Sequence, residues 1–278
     1  MPITVLMVTL YILYCIRIGT KPCKYFQLNS KYFDQSVGIF SKLKIDELIP
    51  SEWRLHQRQD DEQYFPENYP VFLKPEWGQN ARGIFRADNK DDLQRIRKDI
   101  EGSSVRYLLQ EGAQEKYEFE LFAIRHHSNR EDFSVMTLTQ AINESERFPI
   151  NSIYNDSTRY EEITDTLSPQ QSRALQQIIM RLGDFRISRT SIRADSIEDL
   201  CEGRFHIIEI NLFLPMPINL LDIRRTPAQI FSTVRGYMWS LAMSTKFRDK
   251  SLKTLPVFTK IMMYNRESHF INFIRSRI

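Results

Sequence analysis

The chain has 278 residues, 42% of them hydrophobic and 26% charged, an ordinary globular composition with room for one large domain or two packed lobes. Its net charge of +3 is not gathered into a basic face, which argues against a nucleic-acid partner. The three cysteines, Cys15, Cys23 and Cys201, have neither metal-ligand nor redox spacing and read as reduced thiols of a cytoplasmic protein.

Residues 1–16, MPITVLMVTLYILYCI, carry no charged side chain, and Arg17, Lys21 and Lys24 follow them. A bilayer span needs about 20 apolar residues. A secretory signal places its basic residues before the apolar run, not after it. Three readings stay open: a buried first helix or strand, a membrane-seated anchor, or a short span with its positive flank in the cytoplasm. The preferred one is an anchor held against the inner face of the membrane.

Residues 52–70 are polar and proline-punctuated and read as a connector. YPVFLKP, residues 69–75, reads as a short buried strand closed by Pro75. WGQNARGI follows as a glycine-bracketed turn, and residues 84–87 return as a strand. A helix begins at Asp88 with Leu93, Ile96 and Ile100 on one side. Residues 105–110, 118–124 and 132–142 all have strand character. Residues 168–183 form an amphipathic helix capped by Ser168, opened by Pro169 and ended by Gly183. FRISRTSIRA alternates at period two, FHIIEINLF is nearly all apolar, and the tail holds two stretches of helical period, AQIFSTVRGYMWSLAM and FINFIRSRI. Interspersed strands and helices predict an α+β fold in two lobes.

Three constellations carry chemistry. Lys74 ends a buried strand beside a loop holding Gly78 and Gly83, the cation and close backbone approach that phosphates need. A plain β-hairpin with a glycine turn has the same pattern, and Ile84 stands where a P-loop would have its lysine. VRYLLQ runs into Glu111, Gly112 and Ala113, an edge able to pair with adenine, and Glu118 follows where a carboxylate can accept ribose hydroxyls; two surface glutamates flanking a turn look alike. In FHIIEINLF, Glu209 and Asn211 interrupt an apolar strand two positions apart and so point to one face. A charge buried there needs a partner, and Mg²⁺ held by hard oxygen ligands is a natural one.

Taken in this order, the pieces resemble the ATP-grasp superfamily, in particular bacterial membrane-associated relatives of D-alanine–D-alanine ligase, over residues 25–225. The resemblance implies an ATP-grasp fold, two α+β lobes with the nucleotide between them after an abbreviated N-terminal region. Its divisions are an apolar segment 1–20, a pre-grasp region and connector 21–65, a nucleotide lobe 66–130, a metal and substrate lobe 131–225, and C-terminal helices 226–278. It implies ATP and Mg²⁺ as cofactors and a small carboxylate and an amine as substrates, joined through an acyl phosphate. FLKPEWGQNARGI is similar to the phosphate-loop strand, and SKLKIDELIP to the segment that supplies an earlier nucleotide lysine, Lys42. LLQEGAQEKYEFE resembles the adenine hinge and ribose carboxylate, implying Gln110, Glu111 and Ala113 at the base and Glu118 at the ribose. IIEINLFLPMP resembles the metal strand, with Glu209 and Asn211 as ligands, and INSIYNDSTRYEEIT a substrate-side loop.

The departures matter equally. The family has Arg-x-Asp on the strand before the metal strand, the Asp being a further ligand, and this chain reads Arg189-Thr190-Ser191. Asp195 does not substitute, since four strand residues span about 13 Å. Asn155-Asp156-Ser157-Thr158 lacks both glycines of the family's substrate loop. Arg189 and Arg193 share a face with Ser191. In a ligase they would stabilise charge on the transferred phosphoryl group; the other reading makes Arg189 a core partner of Glu209. The function expected is an ATP-dependent carboxylate–amine ligase. The rivals are a nucleotide-binding pseudoenzyme that senses or scaffolds, and a structural membrane-peripheral protein.

Overall fold

The computed structural model describes residues 3–36, 38–78, 81–103, 105–152 and 155–252. The fold is α+β and is built on two antiparallel sheets. The smaller sheet has the order β1-β4-β2-β3, from β1 (Gln57–Gln59), β2 (Val71–Pro75), β3 (Phe85–Ala87) and β4 (Tyr107–Glu111). The larger has the order β7-β6-β5-β8-β9, from β5 (Tyr117–Arg125), β6 (Phe133–Ile142), β7 (Arg159–Glu162), β8 (Ile187–Ala194) and β9 (Phe205–Asn211). The sheets divide between Glu111 and Tyr117. β5 therefore belongs to the larger sheet, although the sequence reading set the boundary between lobes at 130.

Each sheet buries one face as its alternation dictates. Val71, Leu73, Tyr107 and Leu109 of the smaller sheet pack on Leu93 and Ile96 of α3 (Lys90–Asp99). Asn89, not Asp88, caps that helix, its side chain accepting from Asp92 N–H. One face of the larger sheet, with Phe119, Leu121, Ile192 and Ile207, packs on α4 (Pro169–Leu182) and α5 (Ile197–Glu202). The reciprocal Ser168–Gln171 capping box opens α4. The opposite face is covered only in part. Phe122, Ile124 and Ile187 lie beneath α1 (Ile3–Arg17) and α6 (Pro227–Lys246), and the rest of that face is left to the cleft between the sheets.

Two joints hold the sheets in place. The predicted connector 52–70 is not structureless: Ile207 N–H donates to Trp53 O at 2.8 Å on the edge of the larger sheet, and four residues later β1 pairs with β4 in the smaller one. The polar side chains of β1 hid it from a hydrophobic pattern, because main-chain hydrogen bonds define this edge strand. The second joint is α2 (Lys42–Asp46), capped by Ser41 and buried through Ile45 beside β9.

The apolar start is α1, packed on α6 through Tyr11 and Cys15 while Val5, Val8, Ile12, Leu13 and Ile16 face outward. No helix among the described residues is long and apolar enough to cross a membrane. The predicted helix FINFIRSRI lies outside the described residues.

Candidate functional site: the cleft between the sheets

A cleft open to solvent lies between the two sheets. Lys42, Lys74, Gly78, Gln110, Glu111, Ala113, Glu118, Arg189, Arg193, Glu209 and Asn211 all line it. Gly83 does not. It sits buried in the loop after β2 with φ +70°, a conformation glycine adopts without strain. Ser191 lines the cleft, as do Phe72, Glu120, Ile150 and Asn151, which the sequence reading did not single out.

Strand alternation explains the floor. Opposite the α3-packed face of the smaller sheet, Phe72 and Lys74 of β2 stand beside Gln110 of β4, paired in register as Phe72↔Gln110. On the larger sheet Glu118 and Glu120 of β5 share a face with Arg189, Ser191 and Arg193 of β8, paired as Glu118↔Arg193 and Glu120↔Ser191. β9 needs one further device. Its register with β8 slips, Ser191 opposing Glu209 while Ile192 opposes Ile207, so Ile208 is a bulge residue. Without the bulge Ile207 and Glu209 would share a face. With it, Ile207 is fully buried in the core and Glu209 turns to the cleft with Asn211.

The bulge also frees the Ile208 carbonyl, which accepts from Lys74 Nζ at 3.2 Å and Gln110 Nε2 at 3.2 Å. Lys74 donates besides to Gln110 Oε1 at 2.9 Å. It is 3% exposed, and burial pushes its ammonium down to about 8, with Lys42 adding to the effect and Glu209 and Asp46 opposing it. Lys42 Nζ donates to Pro75 O at 3.3 Å and lies 3.8 Å from Glu209 Oε2. Burial alone would raise the Glu209 carboxyl, but Lys42, Lys74 and Arg189 outweigh it and hold the group below its usual range.

Glu118 accepts from Asn151 Nδ2 at 3.0 Å; burial first, and Glu120 beside it, push its carboxyl up to about 7. Glu120 accepts from Ser191 Oγ at 2.9 Å and stands 3.2 Å from Arg189 Nε. The ion-pair partner of Arg189 is therefore Glu120 on the neighbouring strand rather than Glu209. Among the described residues Arg193 makes one long hydrogen bond, NH1 to Ala113 O at 3.5 Å, and its charge acts on Glu118, its register partner. At the hinge, Glu111 N–H donates to His56 O and Gly112 N–H to Pro70 O, so the next N–H along the chain is that of Ala113. Asp195 points away, accepting from Lys116 N–H.

Sequence reasoning missed Glu120 although a signal was present: it follows Glu118 by two residues on one strand and so shares its face. Among the described residues no three acidic, His or Cys side chains are grouped to cage a metal unaided. Glu209, Asn211 and Glu120 present carboxylate and amide oxygens to the cleft, the donor type that a hard divalent cation takes.

No protein-family model matches the chain, and neither does any curated protein. Among solved structures it is similar to an L-amino acid ligase from Bacillus licheniformis, at 14% identity and TM-score 0.46, over 72% of this chain and 47% of that one. It is also similar to a D-alanine–D-alanine ligase from Bacillus anthracis complexed with ATP, at 14% identity and TM-score 0.47, over 74% and 65%. A third is an N5-carboxyaminoimidazole synthetase from Staphylococcus aureus, at 15% identity and TM-score 0.46, over 73% and 51%. The chain thus spans from about half to just under two thirds of their lengths.

Proposed function

We propose that this chain binds Mg-ATP in the cleft and ligates a small carboxylate to an amine. One observation carries the reading: the ammonium groups of Lys42 and Lys74 and the oxygens of Glu209 and Asn211 line a single cleft, coming from α2, the smaller sheet and the larger sheet. Lys42 and Lys74 hold phosphates beneath the Gly78 loop. Adenine pairs with Glu111 O and Ala113 N–H beside Gln110, and Glu118 receives the ribose hydroxyls. Glu209 and Asn211 hold the cation, which neutralises phosphate charge when bound.

The chemistry needs no nucleophilic side chain. A substrate carboxylate oxygen bonds to the γ-phosphorus as the bond to the ADP oxygen breaks. The amine nitrogen then bonds to the acyl carbon, and phosphate leaves. The chain supplies positioning and fixed charge, with Arg189 and Arg193 facing the transferred group.

A second reading, a nucleotide-binding module without turnover, is favoured by Ser191, which stands where the resemblance expects a carboxylate. Two measurements separate the readings. Titration with Mg-ATP should raise the melting temperature by mass action, and ADP release should appear with a suitable amino-acid pair. Protection without turnover across a panel of donors and acceptors leaves the module; no protection removes both.

A further inference from the structure

Ser191 takes one negative charge out of a cleft lined by five cationic side chains, Lys42, Lys74, Arg82, Arg189 and Arg193. The neighbouring strand puts a charge back. Ser191 is paired on one side with Glu209 of β9 and on the other with Glu120 of β5, so the three form a row across adjacent strands, all lining the cleft. Directly paired residues of a sheet have Cβ atoms about 4.5–5.5 Å apart, which one long carboxylate side chain can bridge. Ser191 Oγ in fact donates to Glu120 Oε1 at 2.9 Å. The hydroxyl thus occupies one oxygen of the carboxylate, and the other faces Arg189 Nε at 3.2 Å.

That other oxygen is the informative one. Glu120 is 8% exposed, and its Oε2 accepts no hydrogen bond among the described residues. Arg189 Nε stands 3.2 Å away but donates no hydrogen bond. A carboxylate oxygen that is ion-paired with Arg189 but accepts no hydrogen bond among the described residues, and that lines the cleft in a row with Glu209, keeps lone pairs for a further electropositive partner.

We propose that Glu120 is a ligand of the divalent cation in place of the absent carboxylate at position 191, with Ser191 orienting it through the Oγ–Oε1 hydrogen bond. The charge count of the site is then preserved and its position moves by one strand. The inference rests on the Mg-ATP reading. Glu120 and Glu209 would approach the cation from opposite sides of Ser191, leaving the phosphates to complete the shell.

The test uses the full chain with Mn²⁺ as the probe, bound Mn²⁺ being read by electron paramagnetic resonance at saturating ATP. ATP affinity is measured separately in chelator. Glu120→Gln should weaken Mn²⁺ by about 10- to 100-fold, the range seen when groups supporting a metal are lost, while metal-free ATP binding stays within about threefold, since the hydrogen-bonding shape of the side chain is kept. Ser191→Asp alone should bring no tightening, because the place is already charged. Added to Glu120→Gln, it should recover most of the loss.

Unchanged Mn²⁺ affinity in Glu120→Gln, with ATP still bound and with Glu209→Gln abolishing Mn²⁺ binding, overturns the inference and leaves the Mg-ATP reading intact. So does a tenfold or greater tightening by Ser191→Asp in the presence of Glu120, a result that holds even where Glu120→Gln does not fold. Failure of the unsubstituted protein to bind ATP removes the reading beneath.

Discussion

Two regions of the molecule bury arginines, and they treat them differently. In the smaller lobe Arg97 is 6% exposed and its guanidinium is fully engaged: Nε donates to Asp60 Oδ2 at 3.0 Å, NH1 to Glu62 O at 3.1 Å, and NH2 to Tyr64 O at 2.8 Å and to Asp60 Oδ1. Arg125 behind the larger sheet is likewise closed, donating to Phe185 O, Arg130 O and Gly183 O. In the cleft, Arg189 and Arg193 each leave Nε without a hydrogen bond among the described residues, and Glu120 Oε2 is ion-paired with Arg189 but accepts no hydrogen bond there. The closed set is what stability asks for, since a buried ion repays its desolvation only when its hydrogen-bonding groups are met. The open set is what binding asks for. On the proposed function the cleft is the place where a further charged species belongs.

The sharpest way to break this comparison is to remove one arginine of each kind. Arg97→Met leaves Asp60, itself 5% exposed, as a buried charge without its partner, and should lower unfolding free energy by about 3–5 kcal/mol. Arg193→Met gives up, among the described residues, one 3.5 Å hydrogen bond and its charge opposite Glu118, and should cost less, about 1 kcal/mol. Urea denaturation followed by circular dichroism measures both. Equal losses would mean that the cleft arginines are structural and the contrast is void.

The sequence carried the two halves of this contrast unequally. Period-two alternation placed Arg189, Ser191 and Arg193 on one face, and the two polar interruptions of β9 pointed Glu209 and Asn211 the same way. What it could not carry was register. That Glu120 stands opposite Ser191 depends on how β5 meets β8, a pairing between residues 71 positions apart. The bulge at Ile208 is equally hidden, because HIIE reads as plain strand and only the slip against β8 turns Glu209 into the cleft. Gly83 was over-read for a related reason: a positive-φ glycine beside a phosphate-like loop serves the turn itself and not the cavity wall.

A smaller effect sharpens the comparison from the ligand side. Among the described residues Lys74 donates to a side-chain amide and a bulge carbonyl, neutral acceptors that phosphate oxygens can outbid. A hydrogen bond to a charged group contributes about 1.5–3 kcal/mol. On the proposed function Lys74→Gln should therefore weaken ATP by roughly 10- to 150-fold in a calorimetric titration. Global stability should hold, because no buried charge is left without its only partner: Glu209 still has Lys42 at 3.8 Å. Unchanged ATP affinity would remove Lys74 from the phosphate site.

The smallest expected effect is a pH dependence of two signals with opposite sign. Burial lowers the Lys74 ammonium from the ordinary 10.5 to about 8, with Lys42 acting in the same direction and Glu209 and Asp46 against it. Between those values the unfolded chain holds a proton at Lys74 that the folded chain does not. Stability therefore rises with pH across the window, from its lowest contribution below about 8 to its full contribution above 10.5. Phosphate binding runs the other way, because it needs the ammonium and is lost as the proton leaves. Thermal melts from pH 7 to 10 should then show the melting temperature gaining a small upward contribution without nucleotide, while the shift produced by ATP shrinks. In Lys74→Met both trends should flatten together. If the ATP-induced shift falls with pH as steeply in Lys74→Met as in the unsubstituted protein, another group is titrating, and the open chemistry of the cleft does not centre on this lysine.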